Sequence, residues 1–397
     1  MSLVEEIQTR AAELKEEMIR VRRHLHMYPE AGFEEFRTAE LVAETLTGLG
    51  MEVKTGVGKT GVVGFLRGVK PGKTIALRAD MDALKMDEEN PDLPYCSRHP
   101  GVMHACGHDG HVAMLLAAAQ ILSERKHEIH GNVKFIFQPA EEGVDGGGAR
   151  VMVAEGVLED PKVDAVVGIH IWASLPIGMI ALREGPMMAS SDGFTATIIG
   201  KGGHGASPQD CIDPVLTASH IVTALQSIIS REIKPVDAAV ITVGTFHAGT
   251  ANNVIAERAI LGATVRSLDP TIRKMLPERI EGIIHGITSA MRAKYEFEYR
   301  LGYPIVMNDK GMTQLLDGVS RDVLGEKQVT YPPYPVMGSE DFAYYLEKVP
   351  GTFGFLGAGN PDKNTGQAHH PKYNFDEDVL PKGCSILVLS ALRYLSN

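Results

Sequence analysis

The chain has 397 residues, with 39 Lys and Arg against 50 Asp and Glu, 15 His and only 4 Cys. At roughly 150 residues per domain, this length implies two domains, or three, and a core large enough to need no disulfide staples. The net charge of -11 excludes the basic face that a nucleic-acid binder needs and disfavours a polybasic membrane-surface protein.

In chain order, Leu14, Met18, Val21 and Leu25 recur at helix spacing among charges, and Pro29 ends the run. Glu34–Leu49 resumes the helical pattern up to Gly50. Gly61–Leu66 and Thr74–Leu77 read as strands, His111–Leu122 as a helix, and Asn132–Phe137 and Val163–His170 as buried strands. The apolar stretch Ala113–Leu122 is too short and interrupted to span a bilayer. Strands separated by helices predict an α/β domain with a mainly parallel sheet. Near Gly185 the pattern changes. Phe194–Ile199, Ala238–Phe246, Ala259–Val265 and Tyr295–Leu301 read as strands, with helices over Asp213–Ser230 and Asp269–Lys294. The order strand, helix, strand, strand, helix, strand predicts an α+β domain of ferredoxin-like type. The α/β style returns after Tyr303. The expected organisation is a discontinuous domain, 1–188 and 302–397, carrying 189–301 as an insert. The opening MSLVEEIQTR is acidic and helix-like, without a signal peptide's apolar core, so a soluble, cytoplasmic protein is expected.

Cys96, Cys106, Cys211 and Cys384 are scattered and form no CxxC pair. Chemistry-bearing residues gather elsewhere. MHACGHDGH puts His104, Cys106, His108, Asp109 and His111 before a helix pattern, and zinc and its neighbours accept such a thiolate and imidazole mix. QPAEEG puts Glu141 and Glu142 at a strand's C-terminal end, where open α/β sheets place their sites. Adjacent carboxylates point differently, so one can bind metal while the other handles protons. VVGIHIW offers His170, AHHPKYNFDE offers His369 and His370, and LRADMDAL offers Asp80 and Asp82. Each has a bland alternative: a polar helix start, a solvated acidic turn, a satisfied core histidine. Together they supply more donors than one tetrahedral ion needs, which predicts two metals.

The ordered set LRADMDAL, MHACGHDGH, QPAEEG, GIHIW, GKGGHGASP, GTANNVIAERAILGATVR, MGSEDFAYY and HHPKYNFDE resembles the amidohydrolase branch of the M20 metallopeptidases. That branch includes hippurate hydrolases, aminoacylases, auxin-conjugate hydrolases and N-acetyl-diaminopimelate deacetylases. The resemblance covers nearly the whole chain. It implies a zinc-peptidase-like catalytic domain, with the insert serving as lid and dimerisation domain. It implies Cys106, His108, Glu142, His170 and His369 as ligands of two divalent ions (zinc, manganese, cobalt or nickel), with His370 the alternative late ligand. Glu141 becomes the general base and His204 the group that meets the scissile carbonyl, while Asn253 and Arg266 face the substrate. Asp80, Asp82 and Asp109 orient ligands, or cap and shape loops. Glu340–Asp341 lies near the site. The implied reaction is hydrolysis of N-acyl amino acids by a homodimer or higher homo-oligomer. A dipeptidase or carboxypeptidase on the same scaffold is the alternative, and an inactive binding protein is the alternative of another class. The chain departs from the family's pattern at Leu84–Lys85, where Leu-Pro is usual, at Ala256, where NVIP is usual, and in the loop GVDGGGAR.

Overall fold

Strands that read as apolar runs line up as the centre of one sheet. In the computed structural model, which describes residues 1–143, 146–363 and 366–396, eight strands of the first unit follow the spatial order Glu52–Val57, Gly61–Arg67, His130–Gln138, Lys70–Asp80, Ala165–Pro176, Gly351–Gly359, Ile180–Ala181 and Val329–Thr330. The four strands from His130–Gln138 to Gly351–Gly359 are mutually parallel. The Glu52–Val57 and Gly61–Arg67 strands extend them antiparallel on one side. Burial along the central strands is nearly continuous, as in a sheet covered on both faces. Val144 and Asp145 of the GVDGGGAR loop lie outside the described residues.

Register decides which side chains can meet. Asp80 lies opposite Gln138, so the chain leaves these two neighbouring strands side by side. Arg78 lies opposite Gly168, which carries Asp80 and His170 two residues further along each strand. The Ala165–Pro176 strand continues six residues past His170, so this histidine sits within the strand rather than at the expected end. The His108–Glu124 helix starts three residues before the expected His111. Gly107, at φ +95°, makes that earlier start possible, because its left-handed backbone turns the chain between Cys106 and His108. The helix packs against the Lys70–Asp80 strand and against Leu380–Leu395. The first forty residues form two helices, Leu3–Glu13 and Lys15–Met27, and the next runs Phe36–Gly48.

The second unit comprises Met188–Val306 with Pro335–Glu340, the rest of the chain forming the first. Its four-stranded sheet has the order Ala239–Ala248, Arg258–Ser267, Ser191–Ile199 and Lys294–Tyr303, with every neighbour antiparallel. In chain order this is second, third, first, fourth, the ferredoxin-like arrangement. Helices Pro214–Ser227 and Pro270–Ala290 cover one face. Asp213 and Asp269 each accept two backbone N–H groups at the helix starts, and proline occupies the first turn of both. Burial alternates strictly along Ser191–Ile199, as expected for a sheet with one covered face. Phe194, Ala196 and Ile198 meet Ile221, Leu225, Ile280 and Ile284 in a core of the unit's own. Among the described residues, no helix is long and apolar enough to cross a membrane.

Ile280 is fully buried in this second core. Ile280→Ala is expected to destabilise the protein by about 2–5 kcal/mol through lost burial and a residual cavity. Denaturant unfolding followed by tyrosine fluorescence checks it, and a loss under about 1 kcal/mol contradicts the packing described.

Candidate metal centre

The turn after the His130–Gln138 strand carries the paired glutamates, and its backbone is held by carboxylates. The Ala140 N–H donates to Glu35 Oε1 at 2.8 Å. The Glu141 and Glu142 N–H groups donate to Asp82 Oδ1 and Oδ2 at 2.9 and 3.0 Å. Ala140 has φ +51°, a left-handed conformation that disfavours non-glycine residues. Close packing holds the turn from the other side. A Cβ on Gly148 would lie 1.8 Å from the Pro139 carbonyl oxygen, so glycine is required there.

His108 Nδ1 donates to the Asp82 backbone carbonyl at 2.8 Å. His170 Nδ1 donates to the Ile171 carbonyl at 2.7 Å. With Nδ1 occupied in both rings, the Nε2 atoms are the ones left to ligate, the usual way a backbone acceptor orients a metal-binding imidazole. His170 Nε2 lies 3.4 Å from Cys106 Sγ. His108 Nε2 lies 3.9 Å from Glu142 Oε1 and 4.0 Å from Glu141 Oε2. His369, at φ +61°, brings its Nε2 to 3.3 Å from Glu142 Oε1. One donor group therefore joins Cys106, His108 and His170, and a second joins Cys106, Glu142 and His369.

The donor set fits divalent cations on two grounds. His108 Nε2 and Glu142 Oε1 are buried without a hydrogen-bond partner, a situation that costs about 1–3 kcal/mol per group unless something fills it. Ligands about 2.0–2.3 Å from a tetrahedral ion stand roughly 3.3–3.8 Å apart, and the 3.4 Å between His170 and Cys106 in one group and the 3.3 Å between His369 and Glu142 in the other match. The electrostatics agree. Burial opposes charge on His108, yet Asp80, Asp82 and Cys106 push its pKa well above the ordinary value. Cys106 and Glu142 raise His369 to about 10. Burial, helped by His111, holds His170 well below its ordinary value and therefore neutral. Burial also pushes the Cys106 thiol up, so a bound cation would take the place of protons on this cluster.

Asp80 stands nearby, 3.7 Å from His108 Nε2, but is engaged elsewhere. Its carboxylate takes Arg78 at 2.6 Å and His111 Nδ1 at 2.5 Å. His111 Nε2 in turn accepts the Ile171 N–H at 2.8 Å, which removes the lone pair a metal would need. Arg78 also reaches Asp341, which accepts Gln138 Nε2 and the Ala149 N–H. Asp109 is buried against Arg22 and His26. His370 joins none of the donor groups found among the described residues, and its Nδ1 accepts the Lys372 N–H at 3.1 Å. His104 is buried with neither ring nitrogen hydrogen-bonded, and burial holds its pKa near 4, so it stays neutral.

In the second unit, Gly203–His204 pairs with Val254–Ile255. The Gly205 N–H donates to the Asn253 carbonyl at 2.8 Å, which places His204 and Asn253 together at an exposed edge. Arg266 is half-buried on the Arg258–Ser267 strand opposite Val240, and burial lowers its pKa. Cys96, Cys211 and Cys384 are free thiols, and Cys384 is fully buried.

Glu35 and the backbone role of Asp82 escape a reading by residue type. Glu35 lies in a charged stretch that reads as a solvated helix start, yet it is fully buried just before the Phe36–Gly48 helix. Glu30 accepts the Arg37 and Thr38 N–H groups of that helix instead. The Glu35 carboxyl is free to take Thr60 Oγ1–H at 2.5 Å and the Ala140 N–H. Burial and the neighbouring Asp82 push its pKa up to about 7.

Two outcomes follow from this geometry. His369→Ala is expected to lower bound divalent metal, measured by plasma mass spectrometry, while His370→Ala leaves it near the native level. Equal losses would contradict the placement. Folded Glu35 keeps a proton that the unfolded chain releases between the ordinary glutamate value and about pH 7, so the stability it contributes falls as pH rises through that window. Glu35→Gln is therefore expected to gain melting temperature relative to the native protein between about pH 4.5 and 8. A difference that does not grow with pH contradicts the raised pKa.

Residues 76–393 match the model of peptidase family M20/M25/M40. The chain is 43% identical to thermostable carboxypeptidase 1 of Saccharolobus solfataricus, over 99% of both chains. It is 39% identical to the N-acetyl-L-cysteine deacetylase of Bacillus subtilis, over 97% of this chain and 89% of that one. Among solved structures, the YXEP protein of Bacillus subtilis, described as a dinuclear metal binding peptidase from the M20 family, superposes with a TM-score of 0.84 at 34% identity, covering 97% of this chain and 99% of that one. The chain belongs to the M20 peptidase family, in its amidohydrolase branch, and is a metal-dependent hydrolase of amide bonds.

Proposed function

We propose that this protein cleaves the amide bond of N-acyl amino acids, with Glu141 as general base beside two divalent ions held by Cys106, His108, Glu142, His170 and His369. The observation that carries the reading is the convergence of these donors around Cys106, which both donor groups share, with Glu141 at their edge. Cys106, His108 and His170 would hold one ion, and Cys106, Glu142 and His369 the other. Zinc, manganese, cobalt and nickel all suit this mix of thiolate, imidazole and carboxylate. When bound, the metals supply a Lewis acid that eases removal of a proton from water and stabilises negative charge on the substrate's carbonyl oxygen.

The chain's own residues do the rest. Glu141 takes the proton of the attacking water on its carboxylate and passes it to the departing amine nitrogen. Its neighbour Glu142, directed at His369 and His108, stays a ligand. In this reading His204 stabilises the developing oxyanion, and Asn253 and Arg266 face the substrate, supported by their GKGGHG, N-V-I and T-x-R contexts. The deacetylase relative supports an N-acyl amino acid, and the carboxypeptidase relative favours peptides as the second reading. A homo-oligomer working in the cytoplasm completes the proposal.

Metal-reconstituted protein assayed on N-acetyl and N-benzoyl amino acids beside dipeptides tests the substrate. Preference for the acyl amino acids by about tenfold or more in kcat/KM is expected, and the reverse preference moves the assignment to the peptidase. Glu141→Gln is expected to lose about 100-fold or more in kcat with metal still bound. Near-normal turnover by that variant would overturn the role of Glu141.

A further inference from the structure

Three consecutive backbone N–H groups at the turn, those of Ala140, Glu141 and Glu142, each end on a buried carboxylate oxygen. Two acids suffice: Asp82 takes the second and third, Glu35 the first. We propose that Glu35 is a positioning residue for the hydrolytic reaction, clamping the left-handed Ala140 peptide so that Glu141 is aimed at the attacking water. This deepens the reading of Glu141 as base and rests on it.

The argument is geometric. A non-glycine residue in the left-handed region persists only where its surroundings hold it. Ala140 is fully buried, and its N–H has no strand partner, since the Gly61–Arg67 and Lys70–Asp80 strands pair only as far as Phe137 and Gln138. Glu35 Oε1 is the acceptor that satisfies it. The acid is itself fixed, because Thr60 Oγ1 donates to Oε2. Thr60 lies between the Glu52–Val57 and Gly61–Arg67 strands and is buried. The clamp thus ties the turn to Thr60, which belongs to neither donor group. Placing Glu35 beside Asp82 brings two carboxylates together in a buried space, which is unfavourable for stability. An apolar residue here would avoid that and would leave the Ala140 N–H without an acceptor. A glutamine would keep the acceptor and remove the repulsion.

The test compares Glu35→Leu, which removes the acceptor at similar volume, with Glu35→Gln, which keeps it. Both are assayed as metal-reconstituted full chains on N-acetyl-methionine, with metal content measured. Glu35→Leu is expected to lose about 10- to 100-fold in kcat while KM moves less than about threefold and metal stays bound. Glu35→Gln is expected to keep kcat within about threefold of native. A merely structural role would lower the melting temperature of Glu35→Leu without this kcat loss, and that result overturns the proposal. Loss in Glu35→Gln as deep as in Glu35→Leu overturns it too, because the acceptor would then not be what matters. If Glu35→Leu does not fold, Thr60→Val stands in. A fall in kcat of about threefold or more at unchanged KM supports the clamp, and native kcat overturns it. Glu141→Gln in the same assay separates the two readings. An active Glu141→Gln overturns both, whereas an inactive Glu141→Gln with a fully active Glu35→Leu overturns the clamp alone.

Discussion

Asp82 reaches across from the end of one parallel strand to the turn that follows its neighbour, and the geometry of the centre depends on that reach. Its two carboxylate oxygens accept the N–H groups of Glu141 and Glu142, and its backbone carbonyl accepts the proton of His108 Nδ1. One residue thereby sets the backbone of two carboxylates and the tautomer of one imidazole. The reach exists because Asp80 and Gln138 are in register, so residues 82 and 141–142 leave the sheet together. A slip of one residue would turn Asp80 and Asp82 to the other face and dissolve the centre. Such a slip would also break the buried bonds of Arg78 to Gln138 and Asp341, so buried polar pairing helps hold the register.

Charge balance explains which of the nearby acids remain available. Asp80 is as close to His108 as Glu142 is, but Arg78 and His111 occupy it, and its pKa is held far below the ordinary carboxylate range by Arg78, His108 and His111 against the cost of burial. Arg78 is itself buried between Asp80 and Asp341. These groups are already neutralised by one another. Around Cys106 the balance is left open: the raised pKa values of His108 and His369 mark a pocket that draws positive charge. A metal ion held there would compete with protons, which would link metal affinity to pH.

Much of this was readable from residue types and order. The alternation of strands and helices, the change of style near Gly185 and the grouping of Cys106, His108, Glu142, His170 and His369 all follow from local pattern or resemblance. Other features were hidden because they are made by distant parts of the chain. The Gly351–Gly359 strand is glycine-rich, so its propensity conceals its place as the last of the four parallel strands. The resemblance places the late ligand two residues before Pro371, at His369, and keeps His370 as the alternative; the backbone at φ +61° brings the His369 ring to Glu142, while His370 Nδ1 accepts the Lys372 N–H. Glu35 gave no sign, since an acid at a helix start is ordinarily solvated. Its burial comes from contacts 25 and 105 residues away.

Adjacent glutamates with the different tasks proposed for Glu141 and Glu142 need a backbone that separates them without letting them drift. On a strand, neighbours would face opposite sides of the sheet, and on a helix they would diverge by about 100°. The turn here does neither. Both side chains stay within reach of His108, and Glu142 also reaches His369. Because the same carboxylate holds both peptide N–H groups, the backbone of Glu141 cannot turn relative to that of Glu142 without breaking one of these hydrogen bonds. The two carboxylates are then spaced by one peptide unit whose orientation the turn sets, as the proposed division into ligand and base requires. That is the preorganisation a hydrolytic site needs if proton transfer is to find its partner at hydrogen-bond distance.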